Sequence, residues 1–386
     1  MSQLQKNSPD IEKWLRLRYA KGVGPVAFRK LLDFFGSVDD VLAAPAARLA
    51  KVEGIGPKTS KQIAQQCSQF NIEKELYLAR KLGVYLLHID DPRYPPVLKR
   101  IYDPPPILYV KGVIEKQDNL AVAIVGSRRC SQYGREQASK LAHLLASAGF
   151  TIVSGMARGI DTAAHEGALS AKGRTMAVQG CGLAHIFPPE NKNLCKMIAQ
   201  TGACVSELPL GSEPLSQHFP GRNRIIAGLS LGTIVIEAGL RSGAMITASA
   251  AASYDREVMA VPGKIDSPIS KGPHQLIKDG AVLIESVEDV LDAIGPIVER
   301  LKGHAEYTTT EASRKVEQPL LDFDSCSLSS DEKKVYQSLD GEEAHIEDVI
   351  EASELPAGAV NSALISLRLK GLIKQLPGNL FVRRKG

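Results

Sequence analysis

Four loops built from Gly, Ser and Arg carry the chemistry of this chain, each lying between a short apolar strand and a helical stretch. They are Gly126-Ser127-Arg128-Arg129, Ser154-Gly155-Met156-Ala157-Arg158-Gly159-Ile160-Asp161, Gly221-Arg222-Asn223-Arg224 and Ser242-Gly243-Ala244-Met245-Ile246-Thr247. Small residues let a backbone approach an anion closely, and arginine neutralises it. In an open parallel sheet such loops collect at the carboxyl ends of the strands. The expected result is one composite phosphate-binding surface built from Gly126, Ser127, Arg128, Arg158, Gly159, Arg222, Asn223, Arg224, Ser242, Gly243 and Thr247.

The elements that must position these loops follow from periodicity. Apolar runs at AVAIV, FTIVSG, RTMAVQG, ACVSEL, TIVIEAG, EVMAVPG and AVLIES alternate with helices starting near Gly134, Asp161, Asn191, Arg222, Ser242, Gly272 and Val287. Continuous apolar strands separated by helices predict an α/β fold, a doubly wound Rossmann-like parallel sheet covered on both faces, over residues 118–298. Residues 1–85 read as a helical unit with two similar turns, Lys21-Gly22-Val23-Gly24-Pro25 and Glu53-Gly54-Ile55-Gly56-Pro57. Each resembles the turn of a SAM-like helix-hairpin-helix module, which either holds a phosphate at a helix N-terminus or simply packs two helices.

Residues 86–117 are rich in proline and predict a wrapped connection or edge segment rather than a central strand. Residues 299–326 are polar and aperiodic, as in a flexible linker. Residues 327–386 predict three helices and two short strands, a winged helix. Its third helix offers only Arg368 and Lys370 as basic groups, so DNA binding and partner binding both stay open.

Composition narrows the function. The 386 residues are 44% hydrophobic with a formal net charge of +4, so a soluble chain of two or three domains with only local basic sites is expected. No run approaches the roughly 20 apolar residues of a membrane span, and no secretory leader is visible. Six cysteines without a C-x-x-C pair argue against disulfides and zinc and fit the cytoplasm. The spacing after AVAIV breaks the G-x-G-x-x-G dinucleotide pattern, and no phosphate-loop motif is present, so neither a cofactor nor phosphoryl transfer is expected. Arginines recurring along one edge suit a run of phosphates instead. Aromatic residues make up only 5% of the chain, which predicts salt-dependent binding with little sequence preference; Tyr133, Phe187 and Phe219, near the loops in sequence, are each open to two roles, stacking on a base or packing in the core.

No catalytic or metal-binding residue is assigned. Asp161 lies where a first-turn carboxylate caps a helix, and His165, four residues on, packs or bonds that cap. Glu207 and Glu237 end strands beside the arginine loops. Each can serve as a base in glycosidic or phosphoester chemistry, but holding Arg222 or Arg224 by an ion pair is the expected role.

At these residues the chain resembles the DprA/Smf family, DNA-processing proteins of natural transformation. The matching segments are IVGSRRCSQYG (Ile124 to Gly134), SGMARGIDTAAH (Ser154 to His165), FPPEN (Phe187 to Asn191), FPGRNRIIAGLS (Phe219 to Ser230), VIEAGLRSGAMITA (Val235 to Ala248) and VPG (Val261 to Gly263). The resemblance spans nearly the whole chain. It implies a cytoplasmic homodimer that binds single-stranded DNA, works beside single-strand-binding protein and loads the RecA recombinase without catalysing a reaction. It also implies an anion pocket at Gly126, Ser127, Arg128, Arg158, Gly159, Arg222, Asn223 and Arg224, with Lys192 contributing after FPPEN. Two other readings are a nucleotide-processing enzyme of the lysine-decarboxylase-like Rossmann group and a winged-helix regulator. The first lacks its PGGxGT turn, since Glu237-Ala238-Gly239-Leu240-Arg241-Ser242-Gly243 stands there.

Overall fold

A computed structural model describes residues 6–65, 70–295, 328–339, 343–369, 372–376 and 380–383. Its centre is a nine-stranded sheet: β1 (Val84–His88), β2 (Ile107–Gly112), β3 (Ala121–Val125), β4 (Thr151–Ser154), β5 (Thr175–Val178), β6 (Ala203–Ser206), β7 (Gly232–Val235), β8 (Glu257–Ala260) and β9 (Val282–Leu283). The strands lie in the order β1-β2-β6-β5-β4-β3-β7-β8-β9. From β6 to β9 every neighbouring pair is parallel, while β1 and β2 join antiparallel at one side. The doubly wound α/β core is therefore present.

The central strands β3 to β7 are buried on both faces because they are mostly apolar, and the period of two sorts their side chains. Val122 and Ile124 of β3 face one core with Ala138, Ala142, Ala164 and Ala168. Ala121, Ala123 and Val125 face the other with Ile225, Ile226, Ala244 and Ala248. Alanine and glycine bring helices Gln132–Ser147 and Ile160–Ser170 close together. A Cβ on Gly167 would run into the Ser139 carbonyl.

The proline-rich stretch 86–117 is more than a connection. It holds most of β1 and all of β2, and β2 is paired on both sides, to β1 and to β6. Its prolines lie between the two strands: Pro96 opens the short helix Pro96–Lys99, and Pro104 to Pro106 end just before Ile107. No ladder hydrogen bond is lost to them, so high proline content and an interior strand coexist.

The amino-terminal unit has helices Ile11–Arg18, Pro25–Phe35, Val38–Ala43, Ala46–Leu49, Pro57–Ala64 and Ile72–Leu82. Trp14, Leu15, Phe28, Leu31 and Leu49 share one core with Leu86 of β1 and Tyr109 of β2, so the unit docks on that end of the sheet. Each G-h-G-P turn places glycine at the N-cap and proline at the first helical position. The carboxyl-terminal unit is a winged helix: helices Ser330–Ser338, Ile346–Ser353 and Ala357–Leu369, with strands β10 (Ala344–His345), β11 (Ile373–Leu376) and β12 (Leu380–Arg383) ordered β10-β12-β11. Val335, Val349, Leu364 and Phe381 fill its core. The expected linker 299–326 and Lys370 lie outside the described residues. No helix among the described residues is long and apolar enough to cross a membrane.

Candidate nucleic-acid interface

Strand β3 lies between β4 and β7, so the chain leaves it toward one half of the sheet and returns at β7 to build the other. Loops after β3 and β7 therefore diverge, and the crevice between them is where open α/β sheets bind ligands. An open cleft of about 460 Å³ occupies it, lined by Gly126, Ser127 and Arg128 after β3, Asp161 after β4, Arg222 and Asn223, and Ser242, Gly243 and Thr247 after β7. The loops interlock on glycine. A Cβ on Gly126 would stand 2.6 Å from Ile160 Cγ1, and Gly159, at φ 77°, lies against the Ser127 carbonyl with no room for a side chain.

The floor of the cleft is Arg222, only 6% exposed. Its Nη1 donates to the carbonyls of Gly155 and Val178, the latter at 2.7 Å, and its Nε donates to Asn223 Oδ1 at 3.1 Å. Asn223 in turn donates to the Gly243 carbonyl at 3.0 Å, which ties the floor to the β7 loop. No carboxylate forms an ion pair with Arg222 among the described residues, so its charge stays available to the cleft. Burial pulls its pKa down, while the Asp161 charge opposes the shift. Asp161 is buried too, and burial pushes its carboxyl pKa up against the pull of Arg222. Its Oδ2 accepts from the amides of Gly155 at 3.1 Å and Ala157 at 3.3 Å. The carboxylate thus braces the β4 loop, where Met156 holds a left-handed φ of 62°.

His165 does not bond Asp161. Thr175 gives its hydroxyl proton to the Ile152 carbonyl, so His165 Nδ1 donates to Thr175 Oγ1 at 2.7 Å and Nε2 is left as a bare, buried lone pair. Burial, helped by the charge of Arg222, pushes the pKa of this imidazole down to about 3.

Above the floor stands Arg128, exposed and without an ion pair among the described residues. Its guanidinium sits 5.1 Å from the Phe219 ring centre, and that of Arg222 sits 5.8 Å from the same ring. Two cations on one aromatic ring make a positive wall facing the opening. Phe187 packs against Phe219 with ring centres 5.8 Å apart, whereas the Tyr133 hydroxyl donates to the Pro262 carbonyl at 3.3 Å. Ser242 is the N-cap of helix Gly243–Ser253, yet its buried Oγ has no partner and makes no capping bond. The N-terminal turn of that helix is open to the cleft, as an anion requires.

Four expected site residues do not line the cleft, and one of them, Gly159, is buried behind it against the Ser127 carbonyl. Arg224 points away, pairing with Asp103 at 3.4 Å and Glu207 at 2.5 Å. The reason is helical geometry: the segment is already helical from His218 to Gly228, so residues two apart face different sides. Arg158 pairs with Glu190 on the exterior, and Lys192 is exposed at the start of helix Lys192–Thr201. Neither lines the cleft. Of the two strand-end acids, Glu207 holds Arg224 as expected. Glu237 holds no arginine; it accepts from the Ser131 amide at 2.7 Å and hydroxyl at 2.5 Å, fixing the start of helix Gln132–Ser147. Asn191 was not singled out by the sequence, yet its Nδ2 donates to the Met156 carbonyl and Thr162 Oγ1, both at 2.9 Å. In the winged helix, Arg368 is engaged by Asp292 and Gln375.

The model of the DNA recombination-mediator protein A family matches residues 85–295, more than half of the chain. The chain belongs to the DprA/Smf family. Two further models, the DprA winged helix domain and a SAM-like helix-hairpin-helix tandem, match residues 321–379 and 16–68. Among relatives, Protein Smf of Synechocystis sp. is 35% identical over 391 residues, covering 96% of this chain and 98% of that protein. Protein Smf of Escherichia coli is 33% identical over 96% of this chain and 95% of its own length. The X-ray structure of DNA processing protein A from Streptococcus pneumoniae superposes with a TM-score of 0.63 at 36% identity, covering 72% of this chain and 97% of that one. The DprA/Smf assignment thus embraces all three units of the chain.

Proposed function

We propose that the cleft binds the sugar-phosphate backbone of single-stranded DNA without sequence preference, and that the protein acts in DNA processing as a binding mediator rather than an enzyme. The observation that carries this reading is Arg128: an exposed cation with no ion pair among the described residues, held on Phe219 above the buried charge of Arg222. The acids nearest the cleft support binding over catalysis. Asp161 and Glu237 are both spent on backbone amides of the loops they brace, and neither faces the opening as a free base.

We further propose that the bound strand is handed to the RecA recombinase, that single-strand-binding protein shares the strand, and that the working unit is a cytoplasmic homodimer. These expectations come from membership of the family. Arg158 and Lys192, exposed outside the cleft, serve the strand as it leaves, while Gly159, buried against the Ser127 carbonyl, lets the two loops pack together. A mobility shift with single-stranded oligomers tests the first step. Wild type retards the strand and Arg128→Ala retards it several-fold less; equal retardation by both would remove the site. Strand exchange on coated single strands tests the second, with Arg128→Ala failing where wild type succeeds.

A further inference from the structure

A second groove adjoins the cleft on the far side of Ser242. It is open, holds about 620 Å³, and shares Ser242 as a wall with the phosphate cleft, so both open along the same edge of the sheet. Their chemistries differ. The groove floor offers no free cation, since Arg224 is paired with Asp103 and Glu207, and Asp103 Oδ1 accepts the Tyr254 hydroxyl at 2.6 Å. Around that floor large apolar side chains stand in water: Tyr102 is 64% exposed, Leu240 54% and Ile246 46%. Tyr102 leans on the Tyr254 ring at 5.8 Å, which leaves most of its own ring uncovered. On the rim Arg241 is exposed and has no ion pair among the described residues. A contiguous apolar exposure of this kind marks a binding surface.

We propose that this groove takes the nucleobases of the strand whose phosphates occupy the neighbouring cleft, with Tyr102 as the stacking face and Arg241 meeting a further phosphate. The proposal rests on the single-stranded DNA reading of the cleft. A strand leaving a cationic cleft presents flat rings alternating with anions. The adjoining groove answers with a flat ring, an apolar wall and one unpaired cation, in continuous contact with the cleft through Ser242. Base-aromatic stacking is indifferent to sequence, because every base has a π-face.

The test uses the full chain and fluorescence anisotropy with two strands of equal length, a thymidine oligomer and an abasic deoxyribose-phosphate oligomer. Tyr102→Ala weakens the thymidine oligomer by about tenfold, leaves the abasic oligomer bound as before, and keeps the salt dependence unchanged. Tyr102→Phe, which keeps the ring, restores wild-type affinity. Arg128→Ala weakens both strands. If Tyr102→Ala binds the thymidine oligomer like wild type while Arg128→Ala does not, the groove proposal falls and the cleft reading stands. If Arg128→Ala also binds like wild type, the cleft reading itself falls. A third outcome, in which Tyr102→Ala lowers the oligomeric state by sedimentation without changing affinity per chain, assigns the groove to a second copy and overturns the proposal. Tyr102 is exposed and makes one ring contact, so the fold survives its truncation.

Discussion

Replacing Arg222 by alanine separates a structural floor from a solvent-facing ligand. The carbonyls of Gly155 and Val178 and the side-chain oxygen of Asn223 would each lose the donor that Arg222 now supplies. A buried acceptor left unpaired costs about 1–3 kcal/mol, and Asp161 loses its nearest compensating charge as well. Relief from burying the guanidinium offsets part of this, leaving a net loss of about 4 kcal/mol. For a domain of roughly 200 residues that corresponds to a fall of about 10 °C in melting temperature. Differential scanning calorimetry reads the value directly. Arg222→Lys keeps the charge but cannot span both carbonyls and Asn223, so it recovers less than half of the loss. A melting temperature within about 2 °C of wild type, accompanied by lost DNA binding, would refute the reasoning, because Arg222 would then face the ligand rather than support the loops.

Three other substitutions probe neighbouring parts of the account. Gly159→Ala forces a side chain into φ 77° against the Ser127 carbonyl, so stability falls by about 2 kcal/mol or more and single-strand binding falls with it; a normal melt and normal affinity would show that the two loops are not interlocked. His165 has its folded pKa pushed down to about 3 from an unfolded value near 6.5, so its contribution is fully present above about pH 6.5 and is lost as pH falls toward 3. His165→Gln should therefore flatten the decline of melting temperature between about pH 7 and pH 5, and an unchanged decline would mean the imidazole is not buried neutral. Arg224→Ala leaves Asp103 and Glu207 unpaired and lowers stability by about 2–4 kcal/mol while the salt slope of DNA binding stays at the wild-type value; a reduced slope would return Arg224 to the DNA site.

The strands were legible because burial on both faces favours short apolar runs such as AVAIV, and here such runs alternate with helical stretches. The loops were legible because glycine, serine and arginine recur at strand ends, which the parallel sheet gathers around one cleft. Arg224 was misplaced because three adjacent polar residues look like one patch until the helix is known to begin at His218, after which Arg222 and Arg224 diverge. The neutralisation of Arg158 by Glu190 joins residues 32 apart, and no local pattern announces such a pairing. Strand β2 was hidden because the prolines that mark its surroundings lie between strands rather than within them. The contact of Cys195 Sγ with Cys204 Sγ at 3.4 Å was equally unseen, since it joins a helix to the next strand across the inside of the core.

The central claim is that Arg128 meets a phosphate of a single strand in the cleft. Measuring the single-strand affinity of wild type and Arg128→Ala across a series of salt concentrations tests it most directly. Each phosphate contact to a single strand contributes about 0.7 to the slope of log affinity against log salt. The account predicts that Arg128→Ala lowers the slope by about that amount, while its thermal stability changes by less than about 1 kcal/mol, the loss of one exposed cation-aromatic contact. An unchanged slope would contradict it.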